Sequence, residues 1–336
     1  MKKLVSILFV MALVLSFAAF DMTPDPTPSG TVVVYSPHEA DPFNAGINLF
    51  MQKYPNVKVE PVLAGTGECL QRIEAEAANP QADVMWGGGL ESMAAYKDYY
   101  QAYTPKEIDA LDPSVRGEGD LYMGESPLPM VIFYNKKYVS EEKAAELKTW
   151  DGLLDPDFKG HIAYASPAKS GSAYTQLVTM LLAHGGDTTE GWDFITKFYK
   201  NLDGKVNDSS GNCHKLVASG EYWIGLTLEK SAVQYKDNAD VAYVYPEKDS
   251  AVPDGVAIVK NCPHPELAKL FEDFVLSKDC QTEQNKDFGR RPARKDVELG
   301  DLPALSDLNL VTYDFDLAAN HKDDLVAKWQ DVLVNN

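Results

Sequence analysis

Three short stretches place small or hydroxyl-bearing residues just ahead of a helical pattern: Thr66-Gly67-Glu68, Ser170-Gly171-Ser172 and Ser209-Ser210-Gly211. A helix N-terminus presents unpaired N–H groups and about half a positive charge, so it can seat an anion, phosphate above all. Glycine lets a ligand approach the backbone, and Ser and Thr hydroxyls add donors. Taken singly, each stretch reads better as an ordinary helix cap, with the hydroxyl serving its own helix. All three fall on loops, where an open α/β protein carries its binding residues, and as a set they point to a ligand.

A second group could read the organic part of such a ligand. His214, Lys215, Thr227 and Glu229 fall near loops of the second half of the chain. Imidazole donates and accepts, and carboxylate accepts, in fixed directions, which suits ring hydroxyls. His214 fits a surface helix position equally well, and Lys215 a solvated one. Trp86 precedes Gly87-Gly88-Gly89, as on a cleft wall where a ring could stack, whereas Tyr35 reads as core.

Strand and helix patterns position these loops. Residues 31–35 (TVVVY) form an all-β-branched run ending in an aromatic, as in a buried parallel strand, and Ser36-Pro37-His38 turns the chain after it. A helix over 41–54, a strand over 57–63, a helix over 68–78 and a strand over 82–86 follow. That alternation predicts a parallel sheet with helices packed on it. The second half repeats the grammar, with strands at 128–134, 161–165, 222–227 and 241–245. Its helices fall at 173–184, 190–199 and 229–235, with a short one ending near Ser219. Residues 252–259 read as a strand returning to the first sheet, before helices at 265–276, 278–287 and 320–334. The pattern describes an α/β protein of two lobes, 31–126 with 252–336 and 127–251. The crossing segments, 125–135 and 249–259, would act as hinges beside a cleft.

Composition narrows the class. The 336 residues carry 31 basic and 50 acidic side chains, a net charge of −19, so no basic stripe is present to coat nucleic acid or anionic lipid. Met1-Lys2-Lys3, the apolar run from Leu4 to Phe20 and the small-x-small site Ser16-Phe17-Ala18 read as a cleaved secretory signal over residues 1–20. That run, ~17 residues, sits at the low edge of a membrane span. Residues 21–30 (DMTPDPTPSG) read as a flexible lead-in. Cys262 and Cys280 flank a helix about 18 Å long, so they should not pair. Cys69 and Cys213 fall on different lobes, as free thiols or as a contact made on closure. The cysteines and histidines do not fall in a zinc-type ligand pattern, and no metal or cofactor is expected. Gly-x-Ser-x-Gly, His-Glu-x-x-His and Walker patterns are missing from the sequence, which makes an exported hydrolase the weaker reading and a non-enzyme the stronger.

One ordered series of motifs carries a family resemblance. Ser36-Pro37-His38 and Gly65-Thr66-Gly67-Glu68 come first, then Ala82-Asp83-Val84-Met85-Trp86-Gly87-Gly88. Thr149-Trp150-Asp151-Gly152-Leu153-Leu154-Asp155-Pro156 and Lys159-Gly160-His161-Ile162 follow. His264-Pro265-Glu266-Leu267-Ala268-Lys269 and Phe274-Val275-Leu276-Ser277-Lys278 complete it. Across residues 31–336 the chain resembles extracellular solute-binding proteins of ABC importers, in the branch that carries ferric iron, thiamine, phosphonates and hexose phosphates. The resemblance implies a two-lobe fold of the type II periplasmic-binding-protein kind, with a ligand cleft between the lobes. It implies a monomer, periplasmic or extracellular, that closes on one small solute and presents it to a permease with its ATPase.

Ferric members of that branch carry an adjacent tyrosine pair after a second-lobe strand. Here the segment reads Leu226-Thr227-Leu228-Glu229-Lys230-Ser231. Ferric iron is hard and favours phenolate oxygen, so only His38 and Glu68 remain as ligands for it. The expected solute is therefore a phosphorylated organic anion, a hexose phosphate or an organophosphonate, with ferric iron or thiamine as the alternative. The expected ligand-binding set is Ser36, His38, Thr66, Gly67, Glu68, Trp86, Gly87, Gly88, Ser170, Gly171, Ser172, Ser209, Ser210, His214, Lys215, Thr227 and Glu229.

Overall fold

A computed structural model describes residues 22–335; the expected signal segment, residues 1–20, lies outside the described residues. The lead-in is held rather than loose. Asp25 N–H donates to the Lys53 carbonyl at 2.6 Å, and Asn56 Nδ2 donates to the Pro26 carbonyl at 2.8 Å.

The first lobe begins with β1 (Gly30–Ser36), α1 (Ala40–Lys53), β2 (Val57–Leu63), α2 (Thr66–Ala75), β3 (Val84–Gly89) and α3 (Leu90–Ala95). Two short strands, β4 (Tyr100–Gln101) and β5 (Met123–Pro127), complete its outward passage. The second lobe holds β6 (Met130–Asn135), α4 (Glu141–Glu146), β7 (Ile162–Ala163), α5 (Gly171–Ala183), α6 (Thr189–Leu202), α7 (Cys213–Ala218), β8 (Ile224–Leu228), α8 (Glu229–Ala232) and β9 (Val241–Val244). The chain then returns through β10 (Pro253–Val259), α9 (Pro265–Val275) and α10 (Lys278–Phe288), and ends in α11 (Phe315–Asn320) and α12 (Lys322–Asn335).

Both sheets are mixed, which corrects the expectation of parallel ones. β2, β1 and β3 run parallel, with Val32 opposite Val59 and Val34 opposite Val84, but β10 lies antiparallel between β3 and β4. In the second lobe β7 and β8 are parallel, while β6 runs antiparallel to β8 and β9. The βαβ units set the parallel pairs. β6 and β10 carry the chain between lobes, so the crossings set their direction instead. A third crossing passes residue 310, where Asp249 N–H donates to the Asn309 carbonyl and Val311 N–H to the Asp249 carbonyl. β5 (Met-Gly-Glu-Ser-Pro) has no alternating pattern to mark it as a strand.

Each lobe has its own core. Val32, Val34, Phe43, Phe50, Trp86 and Phe271 pack in the first; Phe133, Tyr164, Tyr174 and Phe198 pack in the second. α1 turns Phe43, Ile47 and Phe50 inward at helical spacing. Thr188 caps α6, accepting from Gly191 N–H, and Phe194, Ile195, Phe198 and Leu202 form its buried face. The tail departs from its expected place in lobe one. α9 and α10 do pack there, but Ala318, Leu325 and Trp329 of α11 and α12 belong to the second core. The Trp329 ring meets Tyr164 at 5.7 Å and Tyr199 at 5.8 Å, which anchors the last helix on lobe two. The expected helix over 320–334 is α12, and the short α11 precedes it, separated from it by His321. All four cysteines are buried free thiols. Among the described residues no helix is long and apolar enough to cross a membrane.

Glu272 on α9 is buried in lobe one. Burial, with Asp273 and Asp120 adding repulsion, pushes its carboxyl well above the ordinary range, so the folded protein keeps it protonated. The unfolded chain releases that proton near pH ~4.3. The contribution is thus full below that pH and is lost as pH rises toward the folded value. Glu272→Gln cannot ionise. Urea unfolding at pH 4, 6 and 8 should show the variant gaining on the wild type as pH rises; a pH-independent difference would contradict a neutral Glu272.

Candidate functional site

A cavity of about 570 Å³ lies between the lobes. Lobe one lines it with loops that end β1, β2 and β3; lobe two contributes the start of α5, the turn at 208–211 and the end of β8. The β1, β2 and β3 loops leave the carboxyl ends of parallel strands, the place where open α/β sheets bind ligands.

The first turns of two helices meet at this seam. Gly65 is the N-cap of α2 and brings no side chain, so the N–H groups of Thr66, Gly67 and Glu68 have no cap from their own helix. α5 is capped in part: Ser170 Oγ accepts from Ala173 N–H at 3.3 Å and contacts Ser210 Oγ at 2.9 Å, tying the helix to the 208–211 turn. The lobes touch here. A Cβ on Gly171 of lobe two would stand 2.6 Å from Thr66 Oγ1 of lobe one; within lobe one, a Cβ on Gly88, whose φ is +87°, would stand 2.8 Å from Thr66 Cγ2. Only glycine permits that approach.

Charge at the cavity is mostly paired. Lys230 is 7% exposed; its ammonium stands 3.7 Å from Glu39 Oε1 across the seam and has no hydrogen bond among the described residues. Burial lowers its pKa against the opposing pull of Glu39. Burial also acts to raise the Glu39 carboxyl, but Lys230, His214 and Lys215 outweigh it and hold the group below the usual range. Behind the wall, Arg290 Nη2 lies 2.7 Å from Glu125 Oε1 and 3.0 Å from Asp254 Oδ2, and His38 Nε2 lies 3.0 Å from the same Glu125 oxygen. Burial favours a neutral Glu125, yet Arg290 and His38 prevail and draw it down to about 2. Ligand atoms of His38, Glu125 and Asp254 fall within 4.8 Å of one another, a spacing that could hold a cation. The Arg290 guanidinium already supplies the positive charge there.

Of the residues expected from the sequence, His38, Thr66, Gly67, Glu68, Gly88, Ser170, Gly171, Ser172, Ser209, Ser210 and Thr227 line the cavity. Others stand elsewhere. Ser36 is fully buried and its Oγ accepts from His38 N–H at 3.2 Å, shaping the turn. Trp86 is a core residue, with Phe43 at 5.3 Å, Phe271 at 5.5 Å and the His38 ring edge-on at 4.9 Å. Gly87 faces that same imidazole, 2.9 Å from where its Cβ would be. Glu229 is locked by Arg291 at 2.6 and 2.7 Å and by the Tyr245 hydroxyl. His214 is buried beside Tyr235; burial pushes its pKa down to about 4, so it is neutral, and Lys215 points to solvent. Sequence reasoning missed Lys230, Glu39, Asp254, Arg290 and Glu125. One signal was available: Arg290-Arg291 is a doubled cation directly after a helix-ending glycine in an acidic chain.

Comparison with known proteins agrees with this architecture. Residues 43–308 match the family model described as bacterial extracellular solute-binding protein. A periplasmic binding protein from Actinobacillus pleuropneumoniae, AfuA, solved with exogenous fructose-6-phosphate bound, superposes with a TM-score of 0.82 at 27% identity, over 92% of this chain and 100% of that one. A putative 2-aminoethylphosphonate-binding periplasmic protein of Salmonella typhimurium is 26% identical over 291 residues, 82% of this chain and 83% of its own. Iron uptake protein A1 of Synechocystis is 29% identical over 243 residues, 67% of this chain and 65% of its own.

Removing Arg290 would leave the buried Glu125 and the neighbouring Asp254 without their cation. Arg290→Ala should cost about 3–5 kcal/mol in urea unfolding, the range for breaking a buried pair. A loss below ~1 kcal/mol, the range of exposed pairs, would contradict the role given to Arg290 here.

Proposed function

We propose that this chain, which belongs to the bacterial extracellular solute-binding protein family, holds a small phosphorylated organic anion, a hexose phosphate or an organophosphonate, in the cavity between its lobes. The lobes close about the crossing segments, and the closed, monomeric carrier delivers its solute to the permease and ATPase of an ABC importer. It works in the periplasm or outside the cell, as the periplasmic relatives suggest.

The observation that carries this reading is Lys230, a buried residue whose ammonium has no hydrogen bond among the described residues, on the wall of a cavity that also receives the uncapped start of α2. A buried cation without full pairing is costly, and a phosphate would complete it. Free N–H groups at a helix start attract the same ligand. The cavity volume suits a phosphate bearing an organic body, being within the span of small-molecule pockets, roughly 300–1,000 Å³. Net acidity does not oppose this, because local donors decide recognition while overall charge acts mainly on steering.

The alternatives fare worse on the same wall. No Tyr, Phe or Trp lines the cavity among the described residues, so ferric iron would lack phenolates and a thiamine-like cation would lack π faces. The imidazole of His38 is engaged by Glu125, and the relatives named above are described as binding or uptake proteins, which favours a carrier over an exported hydrolase.

A thermal-shift panel tests the reading. Fructose 6-phosphate, glucose 6-phosphate and 2-aminoethylphosphonate are compared with the free hexoses, ferric citrate and thiamine. A bound ligand raises Tm by mass action, so phosphorylated members should shift it and the others should not. Lys230→Ala should weaken the responding solute about 10- to 100-fold, the range for losing a charged hydrogen bond. A response to ferric citrate or thiamine alone would overturn the assignment.

A further inference from the structure

Behind the cavity wall lies a carboxyl that the solute-binding reading leaves without a task. Glu91 stands near the start of α3 in lobe one and is fully buried. Its Oε1 is 2.7 Å from Oγ1 of Thr175, which belongs to α5 of lobe two and lines the cavity. The same Thr175 oxygen lies 3.1 Å from the carbonyl of Gly171, the residue that abuts Thr66 at the seam. A chain of contacts thus runs from the interior of one lobe to the head of the helix that the other presents to the solute. Among the described residues Glu91 Oε2 has no hydrogen-bond partner.

The charged and titratable groups around Glu91 come from several segments. Lys322, at the start of α12, is the nearby cation. Its ammonium is engaged by Ser92 Oγ at 3.0 Å, lies over the Tyr174 ring at 4.9 Å and feels Asp323. Asp254 on β10 adds repulsion, and the Tyr174 and Tyr313 phenols face the same space. Burial drives Glu91 toward its neutral form, and Asp254 assists; Thr175 and Lys322 pull the other way without prevailing, so its carboxyl sits above the ordinary range.

We infer that Glu91 is the positioning residue for lobe closure: protonated, it donates to Thr175 Oγ1, which in turn donates to the Gly171 carbonyl and fixes the head of α5 against the bound solute. Losing the proton puts a charge into a buried seam where Oε2 has no hydrogen-bond partner among the described residues. Opening the lobes admits water to it, so ionisation favours the open form. The device rests on the proposed solute cavity and makes solute affinity fall as pH rises. Release on the alkaline side would follow from the same bond that assists capture on the acidic side.

Calorimetry with fructose 6-phosphate from pH 5 to 9, on wild type and Glu91→Gln, is the test. The titration of the phosphate itself is common to both proteins and drops out of their ratio. The wild-type Kd should rise at least tenfold more than that of the variant across this range. Equal pH slopes would overturn the inference. Thr175→Val covers the case in which Glu91→Gln does not fold: it should bind more weakly at pH 5 and lose the extra slope, and an unchanged slope counts against the latch. If fructose 6-phosphate binds none of them, the cavity assignment is at fault. The latch is then read from small-angle scattering, where the wild type should expand with pH and the variants should not; matching profiles would reject it.

Discussion

α2 begins without a cap. Gly65 has no side chain to offer, and the first three amides of the helix open into a seam that the opposite lobe approaches so closely that Gly171 tolerates no Cβ. Donors confined in this way need an acceptor from outside the helix. Lys230 adds an ammonium in the same condition. The surrounding carboxylates do not cancel them, because most already face a cation: Glu125 and Asp254 face Arg290, Glu229 faces Arg291, and Asp208 faces Lys169. An acidic chain can thereby keep a local surplus of donors.

The adjacent arginines divide the labour of holding that surplus in place. Arg290 stays within lobe one and neutralises the acids behind the β1 and β10 loops. Arg291 reaches across to Glu229, whose N–H donates to the Pro129 carbonyl beside a crossing segment. A bidentate buried pair beside the crossing resists shear yet leaves the distant lips free to part. α11 and α12 add a second connection. α11 borders α3 of lobe one and accepts the Tyr174 hydroxyl of lobe two at its Ala318 carbonyl, while Trp329 seats α12 in the second core.

The elements were legible where local chemistry dictates them. The Val-rich run of β1, the Ser and Gly starts of α2 and α5, and the spacing of Phe43, Ile47 and Phe50 follow from strand and helix periods alone. Order of motifs, rather than any one motif, conveyed the two-lobe architecture. What stayed hidden depends on partners remote in sequence. Trp86 enters the core because Phe271 meets it, and Glu229 leaves the ligand set because Arg291, 62 positions on, claims it. Lys230 has no local signal to distinguish it, and its burial follows from where α8 sits beneath the seam. The antiparallel setting of β6 and β10 follows from where the chain crosses, which no local pattern records.

Backbone amide spectra recorded during a titration with fructose 6-phosphate address the central claim most directly. The account predicts that the N–H resonances of Thr66, Gly67, Glu68 and Ser172 move downfield together in a saturable manner, as amides do on donating to a phosphate oxygen. If those amides stay in place while the solute binds, or move only when a metal ion is added, the grip described here is not the one the protein uses.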